Sequence, residues 1–304
     1  MCTGRSGICS YHTAVCAEMA RQPAVSYCHH RKGCMVLKVW ILKKNTLIFA
    51  AVVTALCVAL AFLVIQLIPR GIAAVAAKKE LPIYSVDRTE KIASLSFDAA
   101  WGAEDTPTLI RILNEHHVHA TFFVVGQWVD KYPDAVKALS DAGNEVMNHS
   151  DTHPHMPTLS REAMEAQVSQ CDQKIEKITG KKPTLFRPPY GDYNNAVVET
   201  LRGMNHDVIQ WDVDSLDWKG ISADAIQKRV LSKVRPGSII LFHNAALHTP
   251  EALPGIIDSL QRDGYQLVPI SQLIYHGSYT IDTQGRQHAA ESSTEASQAA
   301  DSLS

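Results

Sequence analysis

The sequence predicts an α/β protein, a parallel sheet covered by helices, joined to one membrane-spanning helix. Three observations carry this expectation. Apolar, β-type runs recur between residues 92 and 270 with helical segments between them. Several of those runs are continuously apolar, the pattern of strands buried on both faces. Residues 46–68, TLIFAAVVTALCVALAFLVIQLI, carry no charge, and at about 1.5 Å of rise per residue they suffice to cross a hydrocarbon layer of about 30 Å.

Taken in chain order, residues 1–45 form a basic segment with seven Lys or Arg and a single acid, Glu18. The positive-inside rule keeps this segment in the cytoplasm and places the chain after about residue 70 outside the membrane. A cleaved signal peptide is the alternative, with AAVAA at 73–77 as its cleavage site, although its apolar stretch usually runs only about 7–15 residues. Five of the seven cysteines precede the span, and only Cys171 follows it. The exported part therefore folds without an internal disulfide. Residues 1–34 show no periodicity, and Met35 opens a complete basic lead into the anchor; we expect translation to start there. Residues 69–88 read as a stem.

From residue 89 the strand-like runs are 92–98, 120–125, 145–148, 184–187, 207–211, 238–243 and 265–270. Helices are expected at about 106–117, 133–142, 160–179, 192–204, 222–234 and 250–263. The clearest is 160–179, where Met164, Val168, Cys171, Ile175 and Ile178 form one apolar stripe before Gly180. Seven parallel strands either close into a barrel or stay open as a doubly wound sheet, and periodicity does not choose. Residues 276–304, ending ESSTEASQAADSLS, lack the apolar content that offsets ordering entropy and are expected to be a disordered tail. A net charge of −2 excludes binding to nucleic acid by massed phosphate neutralisation.

Chemistry-bearing residues collect at strand ends. Asp98 ends the first strand, His149 and His153 follow the third, Arg187 ends the fourth, Asp214 and Asp217 follow the fifth, and His243 ends the sixth. The C-terminal edge of parallel strands is where ligands gather. Each residue also has an ordinary explanation. Asp98 suits a turn cap, His149 and His153 at i, i+4 arise by chance in a chain with 14 histidines, Arg187 suits a surface charge, and His243 suits a core position. Their joint placement on one rim sets them apart.

Five motifs in order, SFDAAWG (96–102), HSDTH (149–153), RPPYG (187–191), DSLDW (214–218) and ILFH (240–243), resemble those of the polysaccharide deacetylases, the NodB-homology carbohydrate esterases. The FDAAWG form, basic anchor and stem are most similar to the sporulation-associated, PdaB-like branch. The resemblance covers about residues 89–275. It implies an irregular (β/α) barrel of about seven parallel strands and hydrolysis of the N-acetyl amide of an amino sugar in cell-wall glycan, peptidoglycan before chitin. By the match, Asp98 is the base, held by Arg187; His243 is the acid, its protonated form favoured by Asp214; His149 and His153 bind a divalent metal, zinc. Tyr190 offers its backbone N–H to the oxyanion, and Trp218 and Leu241 shape the slot for the acetyl methyl. The chain is then an anchored monomer whose partners are N-acetylated glycan and the membrane.

One position departs from the motif. The family's TFDDG places the third metal ligand where this chain has Ala99, and a methyl group cannot coordinate. Catalytic zinc sites keep about three protein ligands, so metal affinity falls unless Asp151, His155, Glu104 or Asp105 substitutes. A catalytically silent glycan-binding descendant is the competing expectation. A glycoside hydrolase, which needs two carboxylates about 5–9.5 Å apart, leaves the histidines unexplained.

Overall fold

The computed structural model describes residues 44–67 and 79–290, in two separate units divided at Ala73. The expectations for the basic segment and for a start at Met35 fall outside the described residues. In the first unit, α1 (Lys44–Leu67) is one uninterrupted helix, long and apolar enough to cross a membrane by length and composition.

The second unit runs β1 (Ser85–Val86), β2 (Ile92–Ala99), α2 (Thr106–Glu115), β3 (Thr121–Val124), α3 (Gly126–Lys131), α4 (Pro133–Asp141), β4 (Glu145–Asn148), α5 (Arg161–Thr179), β5 (Leu185–Phe186), α6 (Asn195–Gly203), β6 (Asp207–Val208), β7 (Val213–Asp214), α7 (Ala223–Leu231), β8 (Ile239–His243), α8 (Thr249–Arg262), β9 (Gln266–Leu267), α9 (Ile270–Leu273), β10 (Tyr279–Ile281) and β11 (Arg286–Ala289). Seven strands stand side by side in the order β6-β5-β4-β3-β2-β8-β7, every pair parallel, with β9 added beside β2. This is the irregular (β/α) barrel of the sequence expectation. Helix ends follow local chemistry: Ser160, Asn194 and Ser222 accept the N–H three residues on as N-caps, and Gly180 closes α5 in the left-handed conformation.

Strand alternation sorts the side chains of β2. Leu95, Phe97 and Ala99 join the apolar layer between sheet and helices, where Phe97 stacks on Phe122 and Phe242 at 4.7 and 5.4 Å. Ser94, Ser96 and Asp98 point the other way, and the two serines donate to the carbonyls of Val268 and Ile240. The inner layer, with Phe123, Leu185, Ile209 and Ile239 at its centre, fills the barrel below Asp98.

Two boundaries differ from expectation. The segment read as stem up to residue 88 belongs to the barrel from its last residues: Ile83 exchanges backbone bonds with Val208 and Gln210, and Val86 N–H donates to Gly237 O. Ile83 and Val86 are buried, so this strap covers the gap between the β6 edge and the start of β8. Gly237 has φ +82°, and a Cβ there would lie 1.7 Å from Val86 O, so only glycine admits the strap. The expected disordered tail from 276 instead begins with a hairpin, β10 antiparallel to β11, which pairs in parallel with β1. Its sequence is polar, but Gln287 is buried and its amide bonds both backbone groups of Tyr275. Residues after 290 fall outside the described set.

Candidate active site

Asp98 and His243 are register partners at the ends of adjacent strands β2 and β8. Arg187 leaves β5 with its N–H on Asn148 O, and the two prolines that follow it keep the chain extended. Its guanidinium is completely buried. It donates to Asp98 Oδ1 at 2.7 Å and to Ser96 Oγ at 2.8 Å, and it lies 4.2 Å above the Phe123 ring. Burial alone would raise the Asp98 carboxyl, but the charges of Arg187 and His243 hold it below the usual carboxylate range. The base is therefore ionised at neutral pH.

His149 and His153 come together on a loop and not on a helical turn. Ser150 and His153 have φ of +69° and +59°, and the loop they bend brings the two ring centroids to 4.9 Å. His149 Nδ1 donates to Arg187 O at 2.7 Å, which leaves Nε2 as the open lone pair, 3.6 Å from Asp98 Oδ2. Burial lowers both imidazoles, His153 to about 4, so both are neutral at pH 7.

The partner of His243 is Asp217, where Asp214 was expected. Asp217 is buried, and its Oδ1 meets His243 Nδ1 at 2.8 Å while Oδ2 accepts His243 N–H and the Thr249 hydroxyl. Asp214 spends Oδ1 on Leu216 N–H and acts on His243 through its charge alone. The physical reason is the left-handed turn at Leu216, φ +57°, which swings the second aspartate of DSLDW under β8. Burial pushes His243 down, but the Asp217 hydrogen bond and the charges of Asp98, Asp217 and Asp214 raise it above its ordinary value. With Nδ1–H held by Asp217, Nε2 faces the cleft.

Asp98, His149, His153 and His243 line one cleft of about 440 Å³, together with Ala100, Trp101, Tyr190, Gly191, Trp211, Asp214, Trp218 and Leu241. Tyr190 and Trp218 stand exposed at its mouth. The residues that sequence reasoning missed are Asp217 as the imidazole partner, Trp211, and Asn244, which ties the loop after β2 to β8. Asn244 follows His243 directly, but only the fold shows what it bonds.

The donor set does not fit a resident zinc ion. Ala99 offers no ligand and its methyl packs in the helix-facing layer. Of the four possible substitutes, Asp151 pairs with Lys174, His155 with Asp192 and Glu104 accepts Ala103 N–H; Asp105 accepts Ala245 N–H through Oδ2 and keeps a buried, unpartnered Oδ1, but it is not grouped with the two histidines. Among the described residues, no three His, Cys, Asp or Glu side chains are grouped to hold a metal.

The barrel thus sets an arginine-clamped aspartate beside an aspartate-backed histidine at the ends of adjacent parallel strands. The polysaccharide deacetylase family model matches residues 85–209, and this chain belongs to that family. It is 39% identical over 189 residues to the peptidoglycan-N-acetylmuramic acid deacetylase PdaC of Bacillus subtilis, covering 62% of this chain and 40% of that protein. Against the peptidoglycan-N-acetylglucosamine deacetylase of Bacillus cereus it is 32% identical, covering 59% of this chain and 67% of the relative. The chain thus spans about two fifths of PdaC. Among solved structures, it resembles BA3943, a CE4 family pseudoenzyme from Bacillus anthracis, with TM-score 0.62 and 36% identity over 69% of this chain and 73% of that one. A mutant of that pseudoenzyme has restored enzymatic activity; it is 39% identical, with TM-score 0.61, over 63% of this chain and 70% of the mutant.

Proposed function

We propose that this protein removes N-acetyl groups from amino sugars of cell-wall glycan, peptidoglycan before chitin, held by α1 at the outer face of the membrane with its N-terminus inside. The observation that carries this reading is the facing pair: Asp98 kept ionised by Arg187, opposite His243 kept protonated by Asp217, over one cleft. The deacetylase relatives act on the same class of glycan.

In the proposed reaction Asp98 accepts a proton from a water as its oxygen bonds the acetyl carbon. The backbone N–H of Tyr190 steadies the developing oxyanion. His243 Nε2 then delivers its proton to the sugar nitrogen as the C–N bond breaks, releasing acetate and a free amine. Leu241 and Trp218 give the acetyl methyl an apolar wall, and His149 and His153, neutral, border the attacking water. Two imidazoles without a third donor hold a divalent ion loosely, so metal enters as an exchangeable partner. The FDAAWG motif supports placing the chain in the sporulation-associated branch.

A second reading is a silent glycan-binding protein. The missing third donor and the likeness to a family pseudoenzyme favour it. Acetate release from peptidoglycan and N-acetylchitotetraose, with and without zinc, separates the two, with Asp98→Asn as control. Release that the substitution abolishes supports the enzyme. No release under any of these conditions overturns it in favour of the silent reading.

A further inference from the structure

The proposed acid and base leave one prominent side chain without a role. Trp101 stands at the cleft mouth with 61% of its surface exposed, its ring edge-on to His153 at 5.8 Å. An exposed indole is costly in apolar area, and an ordinary surface loop would let it fold back onto the protein. Here the loop is pinned. Buried Asn244 accepts Ala100 N–H at 3.2 Å, and its amide group donates to the carbonyls of Trp101 and Gly102. Trp128 Nε1 donates to the same Gly102 carbonyl, Gly102 itself takes φ +49°, and Asn244 N–H returns to Asp98 O at 3.1 Å. The backbone under Trp101 is thereby bolted to both strands that carry the acid and the base.

An apolar ring fixed beside a site before any ligand arrives lowers the ordering cost of binding, and Trp suits this task because it offers a large face and few rotatable bonds. The cleft, at about 440 Å³, lies toward the small end of ligand sites, so a polymer must lie partly outside it. A gluco-configured pyranose carries its substituents equatorially and shows axial C–H groups on its faces. Such a face packs flat on an indole. We propose that Trp101 is a stacking platform for the sugar unit next to the one whose N-acetyl group enters the cleft, so that the site selects a glycan chain over a monosaccharide. This rests on the functional reading above and adds its specificity determinant; Asn244 is the positioning residue that holds the platform.

The test is titration calorimetry on the full chain in detergent, carrying Asp98→Asn to stop turnover, with N-acetylchitotetraose and with N-acetylglucosamine. Trp101→Ala is expected to weaken the tetramer about tenfold or more while changing the monosaccharide less than about twofold, and Trp101→Tyr to recover most of the loss. Full tetramer affinity in Trp101→Ala overturns the platform alone. Equal weakening for both sugars overturns it as well, since the ring then serves the cleft itself. A parent chain that binds neither sugar overturns the functional reading together with the platform.

Discussion

Replacing Arg187 by methionine removes the guanidinium that bonds Asp98 and leaves a buried carboxylate with the His243 imidazolium as its remaining positive neighbour. The variant also loses the donor to Ser96 Oγ, but that hydroxyl keeps its own bond to Ile240 O. The dominant cost is the stranded charge, about 3–5 kcal/mol for breaking a buried pair from one side. With a urea m-value of about 2–3 kcal/mol/M, that is a midpoint shift of about 1–2.5 M at pH 7. In the parent chain Asp98 titrates below its unfolded value. Its contribution is therefore present above about pH 4 and lost as pH falls through the folded value. In the variant burial is opposed by His243 without the guanidinium, so the carboxyl titrates above its value in the parent chain and the variant gains stability relative to the parent on acidification. The difference between the two proteins should be largest near pH 7 and shrink toward pH 4, measured by urea unfolding followed by tryptophan fluorescence. The double variant Asp98→Asn/Arg187→Met should recover much of the loss, because neither charge is stranded. A pH-independent difference, or one below about 1 kcal/mol, would refute the account of Asp98 as an arginine-held anion.

Asp217→Asn removes the largest influence raising His243, so the acid loses its proton at lower pH. The alkaline limb of the pH–rate profile for acetate release should move to lower pH, and an unmoved limb contradicts the pairing. Ala99→Asp supplies a carboxylate at the position where the family motif carries one. Zinc should then raise the melting temperature of the variant well above any effect on the parent chain; equal shifts in both contradict the two-histidine account. Gly237→Ala sets a methyl against Val86 O at a positive φ and should cost about 2 kcal/mol or more in urea unfolding. A loss under about 0.5 kcal/mol would show that the strap moves aside freely.

The barrel was legible because its strands are long apolar runs, and the site's raw material because parallel strands deliver their C-terminal residues to one rim. What the sequence hides is conformation at single residues. Nothing in DSLDW announces that Leu216 turns left-handed, yet that turn decides which aspartate meets His243. The hairpin at 279–289 is likewise hard to see in composition, because a buried glutamine amide and the ion pairs of Asp87 with Arg286 and His288 hold it alongside the apolar contacts of Tyr279 and Ile281 with the inner layer. The strap at 83–86 is too short to show a period of its own. Ala99 shows a different limit: one letter reveals a missing donor, and only the fold shows that, among the described residues, no third donor is grouped with the two histidines.

The strap also bears on how the protein is made. Its residues precede the rest of the barrel in the chain, yet they bond to Val208, Gly237 and Gly285, which emerge from the ribosome far later. A nascent chain growing from its N-terminus must carry this edge unpaired until the residues through Gly285 have emerged, so the seam is sewn shut long after the strap itself is made.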